Sequence, residues 1–106
     1  MNIDDVIKSF SDALTEKIFN GDKLTKKERK KVGALNLLKA MERLILLDLS
    51  AEKYLMLHGG SRYHSLSASN RYSIDADARN SPWRITFQWE NEEMINVELV
   101  EIEDTR

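Results

Sequence analysis

The chain has 106 residues, 42% hydrophobic and 32% charged, a composition that fits one folded domain spanning 1–106 and excludes a chain disordered throughout. Sixteen Lys and Arg against eighteen Asp and Glu leave a net charge of -2, so any affinity for nucleic acid has to come from a local patch. Cysteine is absent, which excludes disulfides, thiolate nucleophiles and Cys-containing zinc sites and fits a reducing cytosol; no apolar run approaches the roughly 20 residues that span a bilayer, and the acidic start of the chain does not read as a secretory signal.

In chain order, Val6-Ile7-Lys8-Ser9-Phe10 is a short β-prone run. Ser11 or Asp12 can cap a helix running to about Asn20, with Leu14, Ile18 and Phe19 on its buried side and Gly21 as its stop. Thr25-Lys26-Lys27-Glu28 has the form of a capping box. Beyond it, Ala34, Leu37, Leu38, Met41, Leu44 and Ile45 recur at helical spacing, which predicts one helix from about Thr25 to Asp48 with the Leu37/Leu38/Met41/Ile45 stripe against a sheet. Ser50 to Lys53 starts a further helical turn, broken by Gly59-Gly60. Tyr72-Ser73-Ile74 reads as strand, and Trp83 to Trp89 alternates apolar and polar like a half-buried strand. Asn91-Glu92-Glu93 reads as a turn before a β-rich run from Met94 to Ile102. The expected class is α+β: a short N-terminal strand, two helices, then an antiparallel β-meander.

Charge is unevenly placed. Residues 23–31 hold six basic side chains and one acidic, whereas residues 90–106 hold one basic and seven acidic. The run Lys26, Lys27, Lys30 and Lys31 opposes the helix dipole, so helix stability does not account for it; its two readings are contact with RNA phosphates or an acidic partner, and a solvated helix N-terminus. His58 and His64 are the only imidazoles, and two histidines six residues apart with no cysteine make no metal site. His64 has the right chemistry for a general acid or base at neutral pH. Arg84 lies between Trp83 and Ile85, so it projects from the face opposite the tryptophan. Its choices are an active site or an ion pair with a carboxylate such as Glu98.

The element order, together with Ile7-Lys8-Ser9-Phe10 and Trp83-Arg84-Ile85-Thr86-Phe87-Gln88-Trp89 followed by Val97-Glu98-Leu99-Val100, resembles the HigB-type toxins of the RelE/ParE superfamily. Gly60 to Leu66 and Tyr72-Ser73-Ile74 match that family's middle segment in outline. The resemblance implies a small cytoplasmic toxin of a type II toxin–antitoxin pair, held in check by a cognate antitoxin of helix-turn-helix type. Such toxins act on ribosome-bound mRNA, driving a ribose 2′-OH onto the adjacent phosphate, without a cofactor or metal and without a membrane. That reaction needs a base, an acid and cationic groups around the phosphorane. The resemblance implies that Arg84 holds the scissile phosphate, with Arg62 or Arg71 positioning it. Where the family carries an Asp-Tyr-His sequence, this chain has Glu101, Ile102 and Glu103, so Glu101, Glu103 or His64 would move the protons. The alternative on the same scaffold is a non-catalytic binding module, either a ParE-like inhibitor of DNA gyrase or a toxin without nuclease activity.

Overall fold

Three side-chain caps set the helical half of the chain. The structure, a computed structural model, describes residues 6–50, 52–66 and 69–105. Asp12 opens α1 (Ala13–Asn20) by accepting the Thr15 N–H at 2.9 Å, and Gly21, at φ 74°, closes it in the left-handed conformation that glycine tolerates best. The capping box of α2 (Lys26–Val32) is complete: Glu28 N–H donates to Thr25 Oγ1 at 3.1 Å and Thr25 N–H donates to Glu28 Oε1 at 2.9 Å. Lys17 Nζ, 3.0 Å from the Glu28 carboxylate, ties α1 to α2.

The single helix expected from Thr25 to Asp48 is two. Gly33 takes φ 53°, ψ −121°, a conformation open to glycine alone, and ends α2. Asn36 then recaps the chain by accepting from Lys39 N–H at 3.0 Å, which starts α3 (Leu37–Asp48) in a new direction. The break rotates the buried line. Ala40, Leu44 and Leu47 are the enclosed residues of α3, whereas Leu38 is 64% and Ile45 41% exposed, so the expected stripe holds only through the half-buried Leu37 and Met41. A short α4 (Glu52–Leu57) and a 3-10 turn at Gly59–Ser61 follow, so the described chain has four α-helices where two were expected.

The sheet is an antiparallel meander in chain order: β1 (His64–Ser65), β2 (Tyr72–Asp75), β3 (Trp83–Trp89) and β4 (Val97–Asp104). The expected N-terminal strand is not formed. Residues 7 and 10 make isolated parallel bridges to Val97 and Val100, three residues apart on both chains, where a regular ladder steps by two. The cause is Leu99, whose φ of 54° throws a bulge into β4; Ser9 Oγ accepts its N–H at 2.9 Å and Ser11 Oγ donates to its carbonyl at 3.0 Å. At Leu99 side chains take the place of backbone partners, while backbone hydrogen bonds still join Val6 and Lys8 to Val97 and Ser9 and Ser11 to Val100.

One face of the sheet enters the core. Ile74, Ile85, Phe87, Val97, Val100 and Ile102 pack with Ile18, Leu44, Leu47 and Leu55 into a single cluster. Tyr63 joins at the rim, stacked on Tyr72 with ring centroids 5.6 Å apart, its hydroxyl donating to Glu52 at 2.6 Å and accepting from the Trp89 indole at 3.0 Å. Burial, reinforced by the Glu52 contact, raises the Tyr63 phenol well above its ordinary range. The alternation that fills this face sends Ser73, Asp75, Arg84, Thr86, Gln88, Glu98, Glu101 and Glu103 to the opposite one.

Candidate functional site

That opposite face collects most of the candidate residues. His64 pairs with Ser73, Ser73 with Thr86, and Thr86 with Glu101, so one polar row crosses all four strands in register. A parallel row runs from Asp75 through Arg84 to Glu103.

At the β1 end, Arg62 O lies 2.8 Å from His64 Nδ1 and can only accept, so Nδ1 carries a proton. In the neutral ring, Nε2 then takes the hydroxyl proton of Ser73, 3.2 Å away. Ser73 is 1% exposed, so this is a pair that orients the imidazole rather than a nucleophile and its base. Arg62 itself sits at φ 53° after the 3-10 turn with an exposed side chain; its contribution to the row is its carbonyl.

At the β4 end, Arg71 Nη2 donates to Thr86 Oγ1 at 2.9 Å and to Leu99 O at 3.0 Å. Thr86 passes its own proton to Glu103 Oε2. Glu101 is the electrostatically unusual group. Burial, with Glu103 and Asp12 nearby, raises its carboxyl above the ordinary 4.5, while Arg71 and Lys31 pull it back. Three interstrand steps of about 4.8 Å separate His64 from Glu101 at the backbone, so the two ends are distinct groups rather than a converging acid–base pair.

Arg84 is committed elsewhere. Its guanidinium donates to Ser81 O, to Trp83 O at 2.8 Å and to Arg79 O at 3.5 Å, and Nε lies 3.3 Å from Asp75 Oδ1. Asp75 is 1% exposed, and neither of its carboxylate oxygens has an aligned hydrogen bond, so it depends on the charge of Arg84. The ion pair that Arg84 makes is with Asp75 rather than Glu98; Glu98 instead accepts from Gln88 at 2.7 Å.

Lys26, Lys27, Lys30 and Lys31 are exposed along α2. Lys31 reaches back to line a cavity shared with Glu101 and Glu103, which joins the basic helix to the acidic end of the site. Ser73, Thr86 and Asp75 complete the rows and were not singled out in the sequence. Their signal was there: they alternate with Tyr72, Ile74, Ile85 and Phe87 on strands already recognised.

Among the described residues no group of three or more His, Asp or Glu side chains is placed to hold a metal ion, and no helix is long and apolar enough to cross a membrane. Comparison with protein-family models, curated proteins and solved structures returns no match to this chain.

Proposed function

We propose that this chain is a HigB-like toxin of the RelE/ParE kind, which stops translation by cutting ribosome-bound mRNA and is restrained in the cytoplasm by a helix-turn-helix antitoxin. The observation that carries the reading is the setting of Glu101. A carboxyl raised above its ordinary value, facing both Arg71 and Lys31, combines a group able to move a proton with cations able to meet a phosphate. In this scheme Glu101 takes the 2′-OH proton as the 2′-oxygen bonds to phosphorus, the bond to the 5′-oxygen breaks and that oxygen takes a proton from water, which leaves a 2′,3′-cyclic phosphate; Glu103, linked through Thr86 to Arg71, holds that arginine beside the site. The lysines of α2 carry the flanking ribosomal or messenger RNA, and His64, fixed by Ser73, contacts the substrate at the far end of the row. Arg84 supports the site through Asp75 and the turn at residues 79–83.

Primer extension on an mRNA translated with and without the protein tests this. A defined cut is expected, reduced about 10²-fold or more in Glu101→Gln, the usual loss on removing a general base. Intact mRNA beneath arrested translation would instead support the non-catalytic alternative. One observation favours that alternative: Arg84, the arginine expected on the phosphate, already donates to three carbonyls and pairs with a carboxylate. Inhibition of DNA gyrase supercoiling by the same preparation would identify its ParE-like form.

A further inference from the structure

We propose that the bulge of β4 at Leu99, gripped by the hydroxyls of Ser9 and Ser11, is what positions Arg71 beside Glu101, which makes Ser9, Ser11 and Leu99 positioning residues of the polar row. The register shows the bulge directly. Thr86 pairs with Glu101 and Gln88 with Glu98, so Leu99 and Val100 together oppose the single Phe87. The extra residue shifts the alternation of the strand. Val97 and Val100, three residues apart, both enter the core, and Glu98, Glu101 and Glu103 all keep to the polar face. Unbroken alternation from a buried Val97 would instead carry Glu101 and Glu103 into the core.

Leu99 does not hold this conformation by itself. Its φ is 54°, at a bulge position where glycine is the usual residue, and its side chain is 42% exposed, so core packing does not pin it. Strain of this kind persists only where the surroundings fix it, and it gathers at functional sites. Here the surroundings are two hydroxyls. Ser9 Oγ accepts the Leu99 N–H at 2.9 Å, and Ser11 Oγ donates to the Leu99 carbonyl at 3.0 Å. The same carbonyl accepts from Arg71 Nη2 at 3.0 Å, so both of its lone pairs are in use.

Arg71 is thereby fixed at one end and open at the other. The two protons of Nη2 go to Leu99 O and, at 2.9 Å, to Thr86 Oγ1. Nη1 and Nε donate to nothing among the described residues, which leaves three of the five guanidinium N–H groups for a phosphate on a fork already anchored. Arg84, by contrast, commits all three of its nitrogens to the protein. That this placement serves catalysis rests on the nuclease reading; the placement itself does not.

The test removes the grip and reads Arg71 from Glu101. In Ser9→Ala/Ser11→Ala the backbone hydrogen bonds that join Val6 and Lys8 to Val97, and Ser9 and Ser11 to Val100, remain to hold the N-terminal segment, and amide dispersion confirms the fold. Carboxyl ¹³C NMR of the full chain follows the titration of Glu101, which burial, Glu103 and Asp12 raise and which Arg71 and Lys31 lower. Of these groups only Arg71 is hydrogen-bonded to Leu99, so releasing it should let the midpoint climb further. Ser9→Thr/Ser11→Thr, which restores both hydroxyls, should return the midpoint to that of the parent. Primer extension on ribosome-bound mRNA should show cutting about 10²-fold slower in the alanine pair, the scale of a misplaced reacting group, and recovered in the threonine pair. An unchanged midpoint in the alanine pair, or a threonine pair that behaves like it, overturns the proposal whatever happens to RNA. A raised midpoint with undiminished cutting overturns the catalytic use of the placement. A parent that cuts no RNA counts against the nuclease reading alone, and the midpoint still decides whether the bulge positions Arg71.

Discussion

Arg84→Ala isolates what this arginine does. Asp75 is 1% exposed and its carboxylate oxygens lack an aligned hydrogen bond, so the variant leaves a carboxylate buried without the one ion-pair partner it has among the described residues. Removing one member of a buried pair typically costs about 3–5 kcal/mol. In a domain of this size, where total stability is about 5–15 kcal/mol, that is a large share, and it corresponds to a fall of about 15–30 °C in Tm. The companion variant Asp75→Val/Arg84→Met replaces both charges with apolar groups of similar bulk, and such exchanges are often close to neutral. It should therefore recover at least about 2 kcal/mol relative to Arg84→Ala, although it contains one more substitution. Urea unfolding monitored through Trp83 and Trp89 fluorescence, with Asp75→Val alone to close the thermodynamic cycle, measures the coupling. A catalytic arginine behaves differently: its loss abolishes cutting and leaves stability nearly unchanged. An Arg84→Ala protein as stable as the parent would refute the structural role argued here. A double variant no more stable than Arg84→Ala would refute the reasoning about the pair.

Three further outcomes are expected. Leu44→Ala should cost about 2–5 kcal/mol, whereas Leu38→Ala, at a site 64% exposed, should stay within about 0.5 kcal/mol of the parent in the same unfolding assay. Gly33→Ala should destabilise by about 1–3 kcal/mol through backbone strain alone, since an added Cβ meets nothing within 4 Å, while Gly59→Ala, equally uncrowded and not at positive φ, should be neutral or slightly stabilising. Glu101 has a folded-state pKa above its ordinary 4.5, so the native state binds the extra proton and stability falls as pH rises through the window above that value. Glu101→Gln should therefore be the more stable protein at pH 7, with the difference closing as the pH drops below about 4.5.

Local signals in the sequence carry the outcome where local chemistry decides it. Asp12, Thr25 and Gly21 cap helices because a short side-chain oxygen or a missing Cβ acts within three residues. The strand at Trp83 to Trp89 was legible because its alternation reports one buried face. Helical periodicity failed at Gly33, because apolar spacing continues across the break and does not record a change of direction. The rotation that exposes Leu38 and encloses Ala40 follows from that one turn. The N-terminal run had strand-forming residues, yet pairing is a property of two chains, and the bulge at Leu99 lies some ninety positions away. The site divides the same way. Alternation placed Arg84 on the polar face, but its occupation by Asp75 and the carbonyls of residues 79, 81 and 83 depends on a turn that no motif announces.

Glu101 stands at the junction of two demands. Cutting RNA requires that this carboxyl accept a proton while a phosphate approaches through Lys31 and Arg71, against the repulsion of Glu103 and Asp12. Glu103 acts in two opposed ways: its charge repels the phosphate, and through Thr86 it holds Arg71 in place. RNA affinity should rise in Glu103→Gln, which keeps an oxygen for the Thr86 hydroxyl, and fall when Lys31 is neutralised, both read by co-sedimentation with ribosomes at several salt concentrations. An affinity unchanged in both variants would mean that RNA does not approach Glu101 from this side.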